Sequence, residues 1–209
     1  MNHVLISNRN FVLRKVLNTE ENIDIIKDII EAFLNIKIKS IFLNTYLDEK
    51  YLPIEEKFGV TDVRIITDKN EEFNIGIQFL DGQHIQTKIA LYYLYVHTNQ
   101  IHYNDERTIA KTITINFMDF PYYKSFGYHK RVILNKFKKI DFKEEEAESH
   151  IIEIQKFHVS YINDMTKEEQ WITYLKGAEK DVMRKIKEEN VYIKKLDKAI
   201  YKYWEEEKI

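Results

Sequence analysis

Two neighbouring β-type segments, VTDVRII over 60–66 and FNIGIQFL over 73–80, hold the residues whose types and spacing could do chemistry. Asp62 lies inside the first. Gly76 and Gln78 lie two apart in the second, so the alternation of a strand sends both positions to one sheet face. Carboxylates from adjacent strands can hold one or two Mg²⁺ ions, which activate water and neutralise charge at a scissile phosphate, while a polar or cationic neighbour orients the nucleophile. Asp62 offers such a carboxylate and Gln78 such a neighbour, whereas Gly76 offers no side chain. Each also has an ordinary structural reading. Asp62 would face solvent or pair with Arg64, Gln78 would be one more polar strand residue, and Gly76 would mark a bulge or a close backbone approach. The combination is what points to a site.

A second candidate is KSFGYHKRVILNKFKKIDFK over 124–143, in which Lys130, Arg131, Lys136, Lys138 and Lys139 stand among aromatics and could contact phosphates. The competing reading, a solvated edge strand protected by lysines, is favoured because EEEAE over 144–148 follows at once and cancels the local charge. Of the 7 His residues, His97 and His102 are five apart and the others fall in different segments, so no zinc motif arises. Tyr92, Tyr93 and Tyr95 are read as helix packing in preference to a base-stacking platform.

These residues need elements to position them. EENIDIIKDIIEAFLN over 20–35 places Ile23, Ile26, Ile30, Phe33 and Leu34 at helical spacing, with Thr19 as the cap. A strand is expected over 38–46, and the strands at 60–66 and 73–80 form a hairpin through TDKNEE. After Asp81-Gly82 a helix runs over 84–102, with Ile85, Ile89, Tyr92, Tyr93 and Val96 on one face. Strands follow over 110–117, 128–136 and 150–157, and charged amphipathic helices over 167–176 and 178–206.

The order helix, strand, strand, strand, helix, strand resembles the core of the PD-(D/E)XK nucleases. From about Phe11 to Trp171 the chain resembles their Rpn-type (recombination-promoting) nucleases and transposase-associated proteins, through AFLN, TDVRIITD, NIGIQF, ALYYLY, ITINF and IIEIQKF. The resemblance implies an α/β fold with a mixed central sheet flanked by helices and a C-terminal helical extension, and Mg²⁺-dependent DNA cleavage. It also implies an Asp in the first hairpin strand and Glu-x-Gln in the second. Asp62 and Gln78 match, and Gly76 stands where the Glu is expected. A metal would then rest on Asp62, water and the backbone carbonyl of Ile77, fewer anionic oxygens than Mg²⁺ favours. Glu153 and Lys156 match the family's late Glu and Lys, with a structural role as the simpler reading.

Composition bounds the rest. The 209 residues carry 32 basic and 34 acidic side chains for a formal net charge of -2, so no global positive field marks a nucleic-acid binder. The absence of Cys excludes disulfides, a thiol nucleophile and cysteine-bound zinc, and fits the reducing cytoplasm. No apolar run approaches a membrane span. The expected organisation is a nuclease-like domain over 1–176 and a charged helical extension over 177–209. Two functional readings follow. In the first, the metal site is impaired or lost, and the protein binds a nucleic acid or inhibits a protein partner such as a nuclease or defence effector. In the second, it is an active Mg²⁺-dependent DNA endonuclease in which Glu71, Glu72, Asp81 or Glu31 replaces the missing Glu, which requires a second carboxylate about 4 to 5 Å from Asp62. A homo-oligomer is compatible with either.

Overall fold

The computed structural model describes residues 9–44, 60–80, 82, 84–98, 100, 110–124, 127–133, 147–158 and 164–206. The chain divides into two compact units, one formed by Met1–Lys37 with Phe157–Ile209 and the other by Ile38–Lys156.

The central unit is a mixed sheet. Its strands are β1 (Ile38–Leu43), β2 (Val60–Thr67), β3 (Glu72–Leu80), β4 (Lys111–Met118), β5 (His129–Ile133) and β6 (Ala147–Glu153), in the spatial order β1-β2-β3-β4-β6-β5. β1, β2 and β3 run antiparallel, β4 and β6 join in parallel, and β5 closes the far edge antiparallel to β6. The β2–β3 turn places Asn70 at φ 60, a left-handed position that Asn tolerates better than most residues. There the Thr67 amide donates to the Glu71 carbonyl at 2.9 Å. β3 and β4 are buried on both faces, as parallel strands inside a sheet are. One face is apolar: Ile75, Ile77, Ile113, Ile115 and Phe117 are nearly inaccessible. The other carries Asn74, Gly76, Gln78, Thr112, Thr114 and Asn116.

Helix α3 (Ile85–Thr98), after α1 (Arg9–Leu17) and α2 (Ile23–Leu34), packs on β3 and β4. Its buried face is Ile85, Ile89, Tyr92 and Val96, the expected stripe without Tyr93. Ile85 and Ile89 join Leu80, Met118 and Ile151 in one apolar cluster, and Tyr92 and Val96 form a second along the helix. The last strand starts at Ala147, earlier than expected, and passes into a 3₁₀ turn over Ile154–Lys156. The expected strand over 128–136 is seen as β5, with residues 134–136 outside the described part.

The other unit joins α1 and α2 to α4 (Lys167–Lys176), α5 (Lys180–Glu189) and α6 (Val191–Glu206). The helical stretch expected over 178–206 breaks at Asn190, whose side-chain oxygen accepts from the Tyr192 and Ile193 amides at 3.0 and 3.2 Å and so starts α6. Thr19 does not cap through its side chain; its hydroxyl donates to the Val16 carbonyl at 3.1 Å, tying the end of α1 to the 3₁₀ turn Glu20–Asn22 that precedes α2. The helix that does carry a capping box is α4, with Thr166 and Glu169. α6 packs against α1 and α2, burying Ile193 and Leu196. Asp28 on α2 is 2% exposed and accepts from Trp171 Nε1 of α4 at 3.0 Å, with Lys167 and Asn190 alongside.

Candidate nuclease site on the polar sheet face

The β2–β3 register pairs Asp62 with Gly76 and Val60 with Gln78, without a bulge, so Asp62 joins Gly76 and Gln78 on the one face that their spacing gave them. That face is closed. Asp62 is 5% exposed and Gln78 0% exposed, so the alternative of a solvent-facing Asp62 does not hold. Asp62 Oδ1 accepts from Asn44 Nδ2 at 2.9 Å. Asn44 also donates to Asn74 Oδ1 at 2.7 Å, and Asn74 Nδ2 donates to the Val96 carbonyl of α3 at 2.8 Å. Arg64 pairs with Glu72 at 3.3 Å and lies over the Phe42 ring.

Gln78 donates through Nε2 to Asn116 Oδ1. Asn116 Nδ2 donates in turn to Ser149 Oγ and the His150 carbonyl, each at 2.9 Å, and Thr114 Oγ1 donates to Ser149 Oγ at 3.1 Å. Gln78 Oε1 has no hydrogen-bond partner among the described residues. Buried polar atoms without partners are uncommon.

At Gly76 the sheet and α3 come close together. A Cβ added there would lie 2.5 Å from the Tyr92 hydroxyl, 2.7 Å from Val96 Cγ2 and 2.8 Å from Tyr92 Cζ. The Tyr92 hydroxyl donates towards the Thr61 carbonyl at 3.2 Å and the Ile77 carbonyl at 3.3 Å. Burial, then the Asp62 carboxylate, then Tyr95 push the Tyr92 phenol well above its ordinary pKa, so it stays protonated and remains a donor. Tyr92 was legible in sequence only as a packing residue; the interior strand glycine suggested a bulge or a backbone approach, and what meets it is the side chains of Tyr92 and Val96.

The sequence pattern described as PD-(D/E)XK nuclease family transposase matches residues 8–209. The chain belongs to this family. The mixed sheet with its helices is the α/β fold of these nucleases, which are in general dependent on divalent metal ions. No curated protein and no solved structure matches the chain.

Among the described residues no group of three or more His, Cys, Asp or Glu is arranged to hold a metal ion. Glu72 engages Arg64, the Glu71 amide closes the hairpin turn on Thr67 Oγ1 at 3.1 Å, Glu31 belongs to the helical unit, and Asp81 lies outside the described residues. Glu153 is 1% exposed; its Oε1 accepts from the Tyr122 and Tyr123 amides and its Oε2 meets Lys156 at 2.7 Å, so this family-type pair fixes the segment after β4. In the basic segment, Arg131 forks onto Glu148 through Nε and Nη2 at 2.5 and 2.8 Å, and Lys130 lies 4.6 Å from the centre of the Tyr123 ring. β5 is the edge strand that the protective reading of its lysines expected. Lys136, Lys138 and Lys139 lie outside the described residues.

Glu148 gathers a further cluster. His150 Nε2 lies 2.7 Å from its Oε1, Lys111 Nζ 2.8 Å from its Oε2, and His129 Nε2 2.8 Å from His150 Nδ1. Burial pulls the Glu148 carboxyl upward, but hydrogen bonds from His150, Arg131 and Lys111 outweigh it and hold the group well below the usual carboxylate range.

Proposed function

We propose that this chain is a family member whose magnesium site is closed, and that it acts by binding DNA without cleaving it. The observation that carries the reading is the seat of Tyr92 over Gly76. A Glu at position 76 would need space that Tyr92 and Val96 fill, and the Ile77 carbonyl, the backbone ligand that the resemblance implies, accepts from the Tyr92 hydroxyl instead. Mg²⁺ needs near-octahedral oxygen coordination and a path for its waters. One buried carboxylate beside a phenol and a sealed amide do not fit that ion. The family's nuclease character supports DNA as the partner, although the overall charge of -2 asks for a local contact surface.

The decisive assay is nicking of supercoiled plasmid and of single-stranded DNA with Mg²⁺ or Mn²⁺, for the parent and for Asp62→Ala. No metal-dependent cleavage by either protein is expected. Cleavage by the parent that Asp62→Ala abolishes would overturn the reading and restore the endonuclease alternative.

A further inference from the structure

The groove between α5 and α6 is lined by cations. It encloses about 480 Å³, and Lys180, Arg184 and Lys187 of α5 face Lys194 and Lys198 of α6 across it. The spacings, four and three residues on α5 and four on α6, put each set on one helical face. Two acids, Glu188 and Asp197, also line the groove. Asp197 is taken by Lys187 at 2.9 Å. Among the described residues the acid that Arg184 meets is Asp181, at 3.3 Å and with both side chains largely exposed, a pair that water and salt readily replace. Among the described residues no carboxylate pairs with Lys180, Lys194 or Lys198. Four cations therefore face one unpaired acid in a concave surface, on a protein whose formal net charge is -2.

Like charges one helical turn apart repel each other, so such a groove favours a ligand that brings the compensating charge. Its volume is that of a ligand cleft, yet its rim is charged where small-molecule clefts are mainly apolar, which suits a polyanion crossing it. Lysines dominate, and a lysine ammonium meets phosphate as a point charge and carries no base-reading geometry. We propose that the α5–α6 groove binds the phosphodiester backbone of a nucleic acid and does so without reading sequence. This rests on the DNA-binding reading above, while its residues lie outside the sheet unit that the cleavage assay addresses.

The test is fluorescence anisotropy of labelled duplex DNA, single-stranded DNA and single-stranded RNA with the full chain, in EDTA, between 50 and 200 mM salt. It compares the parent, Lys194→Gln with Lys198→Gln, and a control Lys39→Gln on β1. All five of the groove's basic side chains remain in place in the control. Parent binding should weaken with salt, and the double variant should lose about tenfold or more in affinity on every sequence and reduce the log–log salt slope by about 2. The control should bind like the parent, and all three proteins should share one melting temperature. Stronger retention of one polymer identifies which backbone is preferred. Parent binding that the double variant leaves unchanged would overturn the groove alone. A parent that binds none of the three would overturn both the groove and the DNA-binding reading, and displacement by polyglutamate at lower concentration than by DNA would replace the nucleic acid with an acidic protein. Metal-dependent cleavage by the parent would remove the non-cleaving reading and leave the groove standing.

Discussion

At the scale of single residues, position 76 decides what the polar face can do. Glycine offers no carboxylate there, and Tyr92 and Val96 fill the space that a side chain would take. Adding a methyl at 76 forces it within 3 Å of Tyr92 and Val96, and overpacking of this kind costs about 1 to 3 kcal/mol. Gly76→Ala is therefore expected to lower the unfolding free energy by that amount, read as a lower urea midpoint with an unchanged slope. The same change in a Tyr92→Ala background should cost less, with a coupling of about 1 to 2 kcal/mol in a double-mutant cycle, because the nearest obstructing atoms are gone. Strict additivity would show that Tyr92 is not what confines position 76. Gly76→Glu by itself should yield an unstable protein with no gain of metal-dependent cleavage, since the side chain has no room to reach Asp62. The sequence showed a glycine at this position; it could not show the phenol over it, because 15 residues separate Tyr92 from Gly76 and only the fold brings them together.

At the scale of elements, the far edge of the sheet is held by ion pairs more than by apolar contact. β5 has no fully buried residue, and its tie to β6 runs through Arg131, Glu148, His150 and His129, with Lys111 of β4 on the same carboxylate. Breaking one side of such a charge-assisted set costs about 1 to 3 kcal/mol. Because Glu148 is more acidic in the folded chain than its ordinary value of 4.5, its contribution is complete above that value and is lost as pH falls through and below it. Glu148→Gln should be less stable than the parent at pH 7 and should show a shallower decline in urea midpoint between about pH 5 and pH 3. Parallel profiles would place the acid sensitivity elsewhere. The sequence made the strands here legible through β-branched content. The Glu148 cluster was hidden for a physical reason: the acid was counted in a run that cancels charge in solution, whereas its side chain turns inward and is buried with partners on three strands.

At the scale of the whole chain, the central sheet unit is one continuous segment, while the helical unit is assembled from both flanking stretches. Helical periodicity found α2 and the C-terminal helices, but periodicity is local and cannot show that α6 returns to pack on α1 and α2. Three observations make that return structural. Leu13, Leu17, Ile25, Ile193 and Leu196 are each no more than 1% exposed in this unit. Asp28 draws α2, α4 and the α5–α6 junction together through Trp171, Lys167 and Asn190. Lys195 reaches Asp24 at 2.6 Å, from α6 to α2. A chain ending at Lys176 would keep the complete sheet segment but lose α5 and α6, uncovering the α1–α2 surface and leaving Asp28 without Asn190. Removing several buried aliphatic side chains at about 2 to 5 kcal/mol each exceeds the total stability of an ordinary domain. The truncated protein should therefore lose the helical unit's cooperative transition in a far-ultraviolet circular dichroism melt and bind a hydrophobic dye at room temperature, while the full chain does neither. A truncated chain that melts like the parent would show that α5 and α6 are appended to a unit already complete without them, and the groove they form would then be free to evolve, and to be removed, independently of the fold.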